Sequence, residues 1–312
     1  MITPELIVIT GPTATGKTGL GVKLAEAING EVVSADSMQV YMHMDIGTAK
    51  PVKEEINNVP HHLIGYIPPF EDYSVARYVN DASTCIDRIL SYGKKPIVVG
   101  GSGLYIDSLL KGQNFSARGN DDLRKKLEDE YDSIGGDAML KKLQRFDEVS
   151  AKKLYANDKK RIVRAIEAFI VTGKTISQHD LDSRSQTPRY NALMVALTFY
   201  ERSVLYDRIN RRVDEMLTRG LVDEVNSLLN MGVSRNSTAL QAIGYKEITA
   251  AVLGEIDIDT AIEQVKMESR RYAKRQLTWL RRNNNINWIT WENEPNFITG
   301  VKMILEKLNE KK

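Results

Sequence analysis

Gly11-Pro12-Thr13-Ala14-Thr15-Gly16-Lys17-Thr18 decides the fold class of this chain. The stretch satisfies G-x-x-x-x-G-K-[ST]. It follows the apolar run Leu6–Thr10 and precedes Leu20, Leu24, Ala27 and Ile28, which recur at helical spacing. A strand, a glycine loop and a helix in that order are the context the motif requires. Its glycines let the backbone curl until successive N–H groups face one anion, and the helix N-terminus adds a favourable dipole. Gly11, Thr13, Ala14, Thr15, Gly16, Lys17 and Thr18 are therefore expected to hold a polyphosphate. Lys17 would neutralise its charge, and the Thr18 hydroxyl would ligate Mg2+.

Outward from this loop, Glu31–Ser34, Pro96–Gly100 and Ala192–Thr198 read as further buried strands, with Gly30 placed to end the first helix. Strands alternating with helical patterns predict an α/β class: a P-loop-type parallel sheet core flanked by helices. Between residues 115 and 186 the texture becomes charged and helical, with patterns over Asn120–Tyr131, Asp137–Phe146 and Lys159–Thr172. In the last, Asp158 is a candidate N-cap and Ile162, Val163, Ile166, Phe169 and Ile170 form the apolar stripe. The strand pattern resumes beyond Gln186-Thr187-Pro188. The expected organisation is thus a helical insertion domain at 115–186 inside a core made of 1–114 and 187–312. Helices dominate Ser203–Arg282, the helical C-terminal region, and Trp288–Trp291 is a candidate edge strand.

Composition narrows the function classes. The 312 residues are 42% hydrophobic and 27% charged, with a net charge of only +2, so local charge must report on any nucleic-acid partner. Cys85 is the single cysteine and excludes an intrachain disulfide or thiolate metal cluster. No stretch approaches the ~18 apolar residues of a membrane span. A reducing, cytoplasmic setting and a monomer are expected. A hydrolytic or kinase-type phosphate loop usually has an acidic residue ending a neighbouring strand. Here the run Pro96–Gly100 leads instead into Gly101-Ser102-Gly103, leaving Asp36 as the early candidate carboxylate. On position alone Asp36 is equally a helix cap or a catalytic base. Arg208 and Arg212, one helical turn apart beside Leu205, Ile209, Val213 and Met216, could clamp phosphate or form a solvated helix edge.

Lys266, Arg270, Arg271, Lys274, Arg275, Arg281 and Arg282 are interleaved with Tyr272 and Trp279 and interrupted by one acid, Glu268. Such a stretch is either a nucleic-acid face or a solvated helix with Leu277 and Trp279 in the core. His61 and His62 are adjacent, not at metal-ligand spacing, and read as a structural turn.

Together these segments closely resemble the tRNA dimethylallyltransferase (tRNA isopentenyltransferase) family. The likeness is carried by Gly11–Thr18, Asp36-Ser37-Met38-Gln39-Val40-Tyr41, Asp45-Ile46-Gly47-Thr48-Ala49-Lys50-Pro51, Pro60-His61-His62-Leu63 and Gly100-Gly101-Ser102-Gly103-Leu104-Tyr105. It continues through Asn157-Asp158, Arg161–Glu167, Ala242-Ile243-Gly244-Tyr245-Lys246-Glu247 and Lys274-Arg275-Gln276-Leu277-Thr278-Trp279. Ser102 stands where the family usually has Thr, and Thr15 where Val or Ser is common.

The resemblance implies that the loop grips dimethylallyl diphosphate and that the acceptor is the adenosine just 3′ of the anticodon in a tRNA stem-loop. It implies Asp36 as general base, Thr13 as a donor to the bridging oxygen, and a clamping arginine, with Arg212 favoured over Arg208. Ser37, Met38, Gln39 and Ser102 are then expected around the extruded base. Lys160, Arg161, Arg164, Gln241, Gly244, Tyr245, Lys274, Arg275, Gln276, Trp279 and Arg281 are expected to grip the RNA. Three rivals remain at this level. One is a P-loop small-molecule kinase, one an isopentenyltransferase acting on free adenine nucleotide, and one a non-enzymatic RNA-binding switch.

Overall fold

The structure, a computed structural model, describes residues 4–112, 121–185 and 187–310. The chain divides into two compact units, Met1–Gly112 with Arg189–Lys312, and Gln113–Pro188. The expected insertion limits at 115 and 186 and the helix start at Asn120 lie outside the described residues.

In the first unit six strands form one parallel sheet: β1 Leu6–Thr10, β2 Gly30–Ser34, β3 His61–His62, β4 Lys95–Val99, β5 Ala192–Phe199 and β6 Asn287–Trp291. Their spatial order is β3-β2-β4-β1-β5-β6. β1 lies in the interior, with Ile7 and Ile9 beside Ile97 and Val99 on one side and Leu193 and Val195 on the other. Every residue of β1 is buried. That follows from helices covering both faces, which makes alternation unnecessary and an unbroken apolar run the natural sequence.

Before the insertion come α1 Lys17–Ile28, α2 Lys53–Ile56, α3 Val75–Ser91 and α4 Gly103–Lys111. The second unit contains α5 Asp121–Ile134, α6 Gly136–Gln144, α7 Glu148–Ala151, α8 Lys159–Thr172 and α9 Ile176–Ser185. The C-terminal part adds α10 Arg202–Thr218, α11 Leu221–Asn230, α12 Tyr245–Val252, α13 Ile258–Leu280 and α14 Phe297–Glu310.

Four local readings change. Asn29, not Gly30, ends α1 in the left-handed region at φ 52°. Gly30 opens β2, where a Cβ would lie 2.8 Å from the Lys95 carbonyl oxygen. His61 and His62 form the short edge strand β3 rather than a turn. Their rings bond separately, His61 Nδ1 with the Val59 carbonyl at 2.8 Å and His62 Nε2 with Glu31 at 2.7 Å. Asp158 occupies the N-cap position of α8, but its carboxylate accepts from Tyr155 N at 2.9 Å instead of capping the helix. Ile170 faces outward, while Phe169 stacks on Phe146 at 4.2 Å.

Leu127, Met139, Leu143, Ile162, Val163 and Ile166 form a core belonging to the second unit. Asp147 caps α7 by accepting from Ser150 N at 3.0 Å and also accepts from Ser177 N at 3.2 Å, joining α7 to α9. Burial alone would raise its pKa. The donors of Ser150 and Ser177 outweigh that and hold it below the ordinary value. Its contribution to stability is therefore complete above about pH 4, the unfolded value, and is lost as pH falls through the lower folded value. Asp147→Ala is expected to cost about 2 kcal/mol in chemical denaturation at pH 7, with the difference from the parent shrinking as pH falls below about 4 and vanishing once pH lies below the lowered folded value.

Candidate active site

The phosphate loop leaves the carboxyl end of β1, the edge at which open parallel sheets bind ligands. Ala14 and Gly16 adopt positive φ values of 64° and 84°, and these curl the backbone before α1. The curl is braced from three directions. Inside the loop, Thr15 Oγ1 donates to the Pro12 carbonyl at 2.8 Å, and Lys17 Nζ donates to the same oxygen at 2.6 Å. From α10, Arg208 Nε donates to the Ala14 carbonyl at 3.1 Å, and the guanidinium also pairs with Glu294 and lies over Phe199. From β6, buried Trp291 donates its indole N–H to the Thr15 carbonyl at 3.1 Å.

Asp36 follows β2. Its Oδ1 accepts from Met38 N at 2.8 Å and Gln39 N at 3.2 Å. The carboxylate therefore pins a turn, since no helix follows it there. No hydrogen bond engages its Oδ2 among the described residues, and the side chain is half-buried. Lys17, Arg212, Tyr105 and Tyr272 all feel its charge. Burial, reinforced by repulsion from Arg212, pushes the Lys17 ammonium down to about 7, while attraction to Asp36 opposes that shift. The Tyr272 hydroxyl is pushed up to about 12, by burial first and then by Asp36. One carboxylate thus acts electrostatically on both Lys17, in the phosphate loop, and Arg212.

The two arginines separate. Arg208 is committed to Ala14, Glu294 and Phe199. Arg212 makes no hydrogen bond or ion pair with protein among the described residues, yet it is electrostatically coupled to Asp36 and Lys17.

The glycine pair after β4 exists for close approach. A Cβ on Gly100 would lie 2.1 Å from the Ala35 carbonyl oxygen, and one on Gly103 would lie 2.4 Å from the Trp279 ring. Ser102 Oγ, buried, accepts from Ser37 N at 3.2 Å and so ties β4 to the Asp36 turn. Thr18, next to Lys17, and Met38, two residues after Asp36, are half-buried. Among the described residues no three His, Cys, Asp or Glu side chains gather as a metal cage. A single hydroxyl fits a cation held mainly by substrate phosphate and water, as Mg2+ usually is.

Several residues expected to touch RNA are spent inside the protein. Gln276 is buried; its Oε1 accepts from Thr13 N at 3.2 Å and its Nε2 donates to the Gly101 carbonyl at 2.9 Å. It is an internal strut between phosphate loop and glycine turn. Tyr245 is wholly buried, its ring against Gly47 and its hydroxyl donating to Glu224 at 2.6 Å. Gly244 is buried as well, at the start of α12. The Gln39 amide accepts from Ser34 and donates to the Thr48 and Ala49 carbonyls, leaving little for a base. Gln241 is exposed but donates to the Arg235 carbonyl at 2.8 Å. Lys160, Arg161 and Arg164 are exposed on α8, opposite its apolar stripe.

The basic stretch splits along α13. Lys266 pairs with Asp214, Arg271 with Glu268, and Arg270 bonds Asn210. Lys274, Arg275, Arg281 and Arg282 pair with no acid among the described residues. Lys274, Arg275, Thr278, Trp279 and Arg282 line a depression of about 320 Å³. Trp279 is partly exposed there, its N–H donated to Asp107 at 3.2 Å. Leu277 belongs to the core.

Comparison with known proteins identifies the family. The IPP transferase family model matches residues 39–283, and the isopentenyl transferase model matches residues 4–64. The chain is 48% identical over 301 residues to a tRNA dimethylallyltransferase of Acetivibrio thermocellus, covering 96% of this chain and 95% of that protein. It is similar to the solved tRNA isopentenylpyrophosphate transferase of Bacillus halodurans, with a TM-score of 0.74, 42% identity and coverage of 99% and 98%. A eukaryotic dimethylallyltransferase, solved acting on tRNA, aligns with a TM-score of 0.78 and 30% identity, over 92% of this chain and 74% of that one.

Proposed function

Because this chain belongs to the IPP transferase family of enzymes, we propose that it transfers a dimethylallyl group from dimethylallyl diphosphate to N6 of the adenosine 3′-adjacent to the anticodon of a tRNA. The observation that carries the reading is the Asp36 carboxylate, whose one oxygen holds a turn while the other is unbonded among the described residues, coupled electrostatically to Lys17 of the phosphate loop and to Arg212.

Two chemical problems need solving. The exocyclic amine of adenine is a weak nucleophile, because its lone pair is delocalised into the ring. Asp36, through the oxygen not committed to the turn, accepts the amine proton as the new N–C bond forms, a contribution of about 10²–10⁴-fold. At the same carbon the C–O bond to diphosphate breaks, and negative charge grows on the leaving oxygens. Preorganised donors aimed at that charge provide the larger effect. They are the loop N–H groups, Lys17, the Arg212 fork and the Thr13 hydroxyl at the bridging oxygen. Mg2+, when bound at Thr18, would add neutralising charge on the diphosphate. Products are N6-alkylated adenosine, pyrophosphate and the proton on Asp36, which passes to solvent.

For the adenine to reach Asp36 it must leave the loop stack, at a cost of a few kcal/mol. Met38, Ser37 and Ser102 then line its site, and unpaired loop bases are the usual target of sequence-specific RNA recognition. Lys274, Arg275, Arg281 and Arg282 neutralise backbone phosphates, with Trp279 offering a stacking face. In the second unit, exposed Lys160, Arg161 and Arg164 are the basic side chains that the family likeness assigns to RNA contact. Replacing Lys274, Arg275 and Arg282 together by Ala is expected to lower the salt slope of tRNA binding by about 2–3. Lys266→Ala and Arg271→Ala, whose charges are already paired with Asp214 and Glu268, are expected to leave the slope unchanged.

The reading is tested by incubating the protein with dimethylallyl diphosphate and tRNA, then digesting the tRNA for mass analysis. The expected product is adenosine heavier by one five-carbon unit, absent when the anticodon-adjacent adenosine is replaced by guanosine. Modification of free adenine nucleotide at a comparable rate would contradict it.

A further inference from the structure

The chemistry above gives no task to Glu224 on α11, yet its carboxylate is among the most heavily engaged in the molecule. Oε2 accepts from Asp45 N and Ile46 N, each at 2.8 Å, while Oε1 accepts from Gly47 N at 3.1 Å and from the Tyr245 hydroxyl at 2.6 Å. Three consecutive backbone N–H groups converging on one anion form a nest of the kind that elsewhere binds phosphate. Here an internal side chain fills it. Tyr245 closes the arrangement from above, since a Cβ on Gly47 would lie 2.5 Å from its ring.

The anchored segment is braced at its far end and leads back to the turn at Asp36. Lys50, buried, donates to Asp45 at 2.6 Å and to the Tyr41 carbonyl. The Thr48 and Ala49 carbonyls each receive Gln39 Nε2 at 3.2 Å, and Gln39 Oε1 accepts from Ser34 Oγ at 3.3 Å. The backbone N–H of the same Gln39 donates to Asp36 Oδ1 at 3.2 Å. Hydrogen bonds linked through the backbone of residues 45–49 and through Gln39 therefore join Glu224 to Asp36.

We propose that Glu224 is a positioning residue that, through the 45–49 segment and Gln39, holds the Asp36 carboxylate in register with the phosphate loop. It touches neither substrate. The proposal deepens the functional reading and rests on Asp36 being the base. It also explains why Asp45-Ile46-Gly47-Thr48-Ala49-Lys50 accompanies the phosphate loop in this chain. Small displacements of a catalytic group cost large factors in rate.

The test compares Glu224→Gln, Gln39→Ala and their combination with the parent, using dimethylallyl diphosphate and tRNA, with circular dichroism to verify folding. Glu224→Gln presents an amide to backbone donors and is expected to lower kcat about 10–100-fold, with KM for the diphosphate unchanged within about twofold. The double variant is expected to be no slower than the slower single one, because both cut the same connection. Tyr245→Phe removes one donor of four, keeps the ring, and is expected to lower kcat about threefold with the same non-additivity toward Gln39→Ala. Glu255→Ala, which loses only a surface pair with Arg235, is expected to match the parent.

Hydrogen exchange separates this proposal from the reading it rests on. Faster exchange at the amides of Met38 and Gln39 in Glu224→Gln is expected whatever Asp36 does. Retained turnover in Asp36→Asn would remove Asp36 as base. Unchanged exchange at 38–39 in Glu224→Gln, multiplying effects in the double variant, or kcat within twofold of the parent would each overturn the positioning role.

Discussion

Asp36→Asn is expected to lose about 10²–10⁴-fold in turnover while binding tRNA within about threefold of the parent. The substitution is informative because of what it preserves. An asparagine oxygen can still accept from Met38 N and Gln39 N, the two bonds that hold the turn. What disappears is a basic oxygen facing the acceptor amine and a negative charge near Lys17 and Arg212. The loss should therefore fall on kcat and not on the melting temperature. Single-turnover kinetics with preformed tRNA complex provides the check. Turnover within a few-fold of the parent would leave Asp36 as a turn residue only.

Arg212→Ala is expected to reduce kcat by about 10²–10³-fold, the cost of deleting one preorganised donor to developing charge. Arg212→Lys should recover little, because a point charge cannot replace a planar fork on phosphate. The neighbouring arginine supplies the contrast. Arg208→Ala releases the Ala14 carbonyl and the contact with Phe199, so it loosens the loop, and its main effect is expected on KM for the diphosphate. Steady-state kinetics of the two variants side by side decides between them. A larger kcat loss in Arg208→Ala than in Arg212→Ala would reverse the assignment.

The parts of this molecule legible in the sequence are those whose signals are local. β1, the glycine loop and α1 declare themselves because a buried parallel strand is an apolar run and a phosphate cradle needs glycine at fixed offsets. The change to charged helices after the first third is similarly visible. α3 was within reach of the same reasoning: Ser74 caps it, and Val75, Tyr78, Val79, Ala82, Ile86 and Ile89 follow helical spacing. β3 was not, since two residues cannot display a period.

In the site, Asp36, Lys17 and Arg212 could be singled out as candidates from residue type and family likeness, but the internal use of polar side chains could not. Gln276 joins Thr13 to Gly101 across 263 and 175 positions, and Glu224 reaches 45–47 across as many as 179. A glutamine on a basic helix reads as a surface residue until the fold places a glycine turn against it. Gly101 and Gly103 held the one available hint, as glycines there make room for Gln276 and Trp279. The basic stretch of α13 likewise looks uniform in sequence. The folded partners Asp214 and Asn210 on α10 engage Lys266 and Arg270, which sets them apart from Lys274, Arg275, Arg281 and Arg282, paired with no acid among the described residues.

The central claim is that the phosphate loop grips a departing diphosphate and does not spend a nucleotide. The most direct measurement follows pyrophosphate release and N6-alkylated adenosine in one reaction containing tRNA, dimethylallyl diphosphate and radiolabelled ATP with Mg2+. One pyrophosphate per modified adenosine, with the ATP label untouched, is the predicted result. Brisk ATP turnover, with the isoprenoid diphosphate left intact, would contradict it.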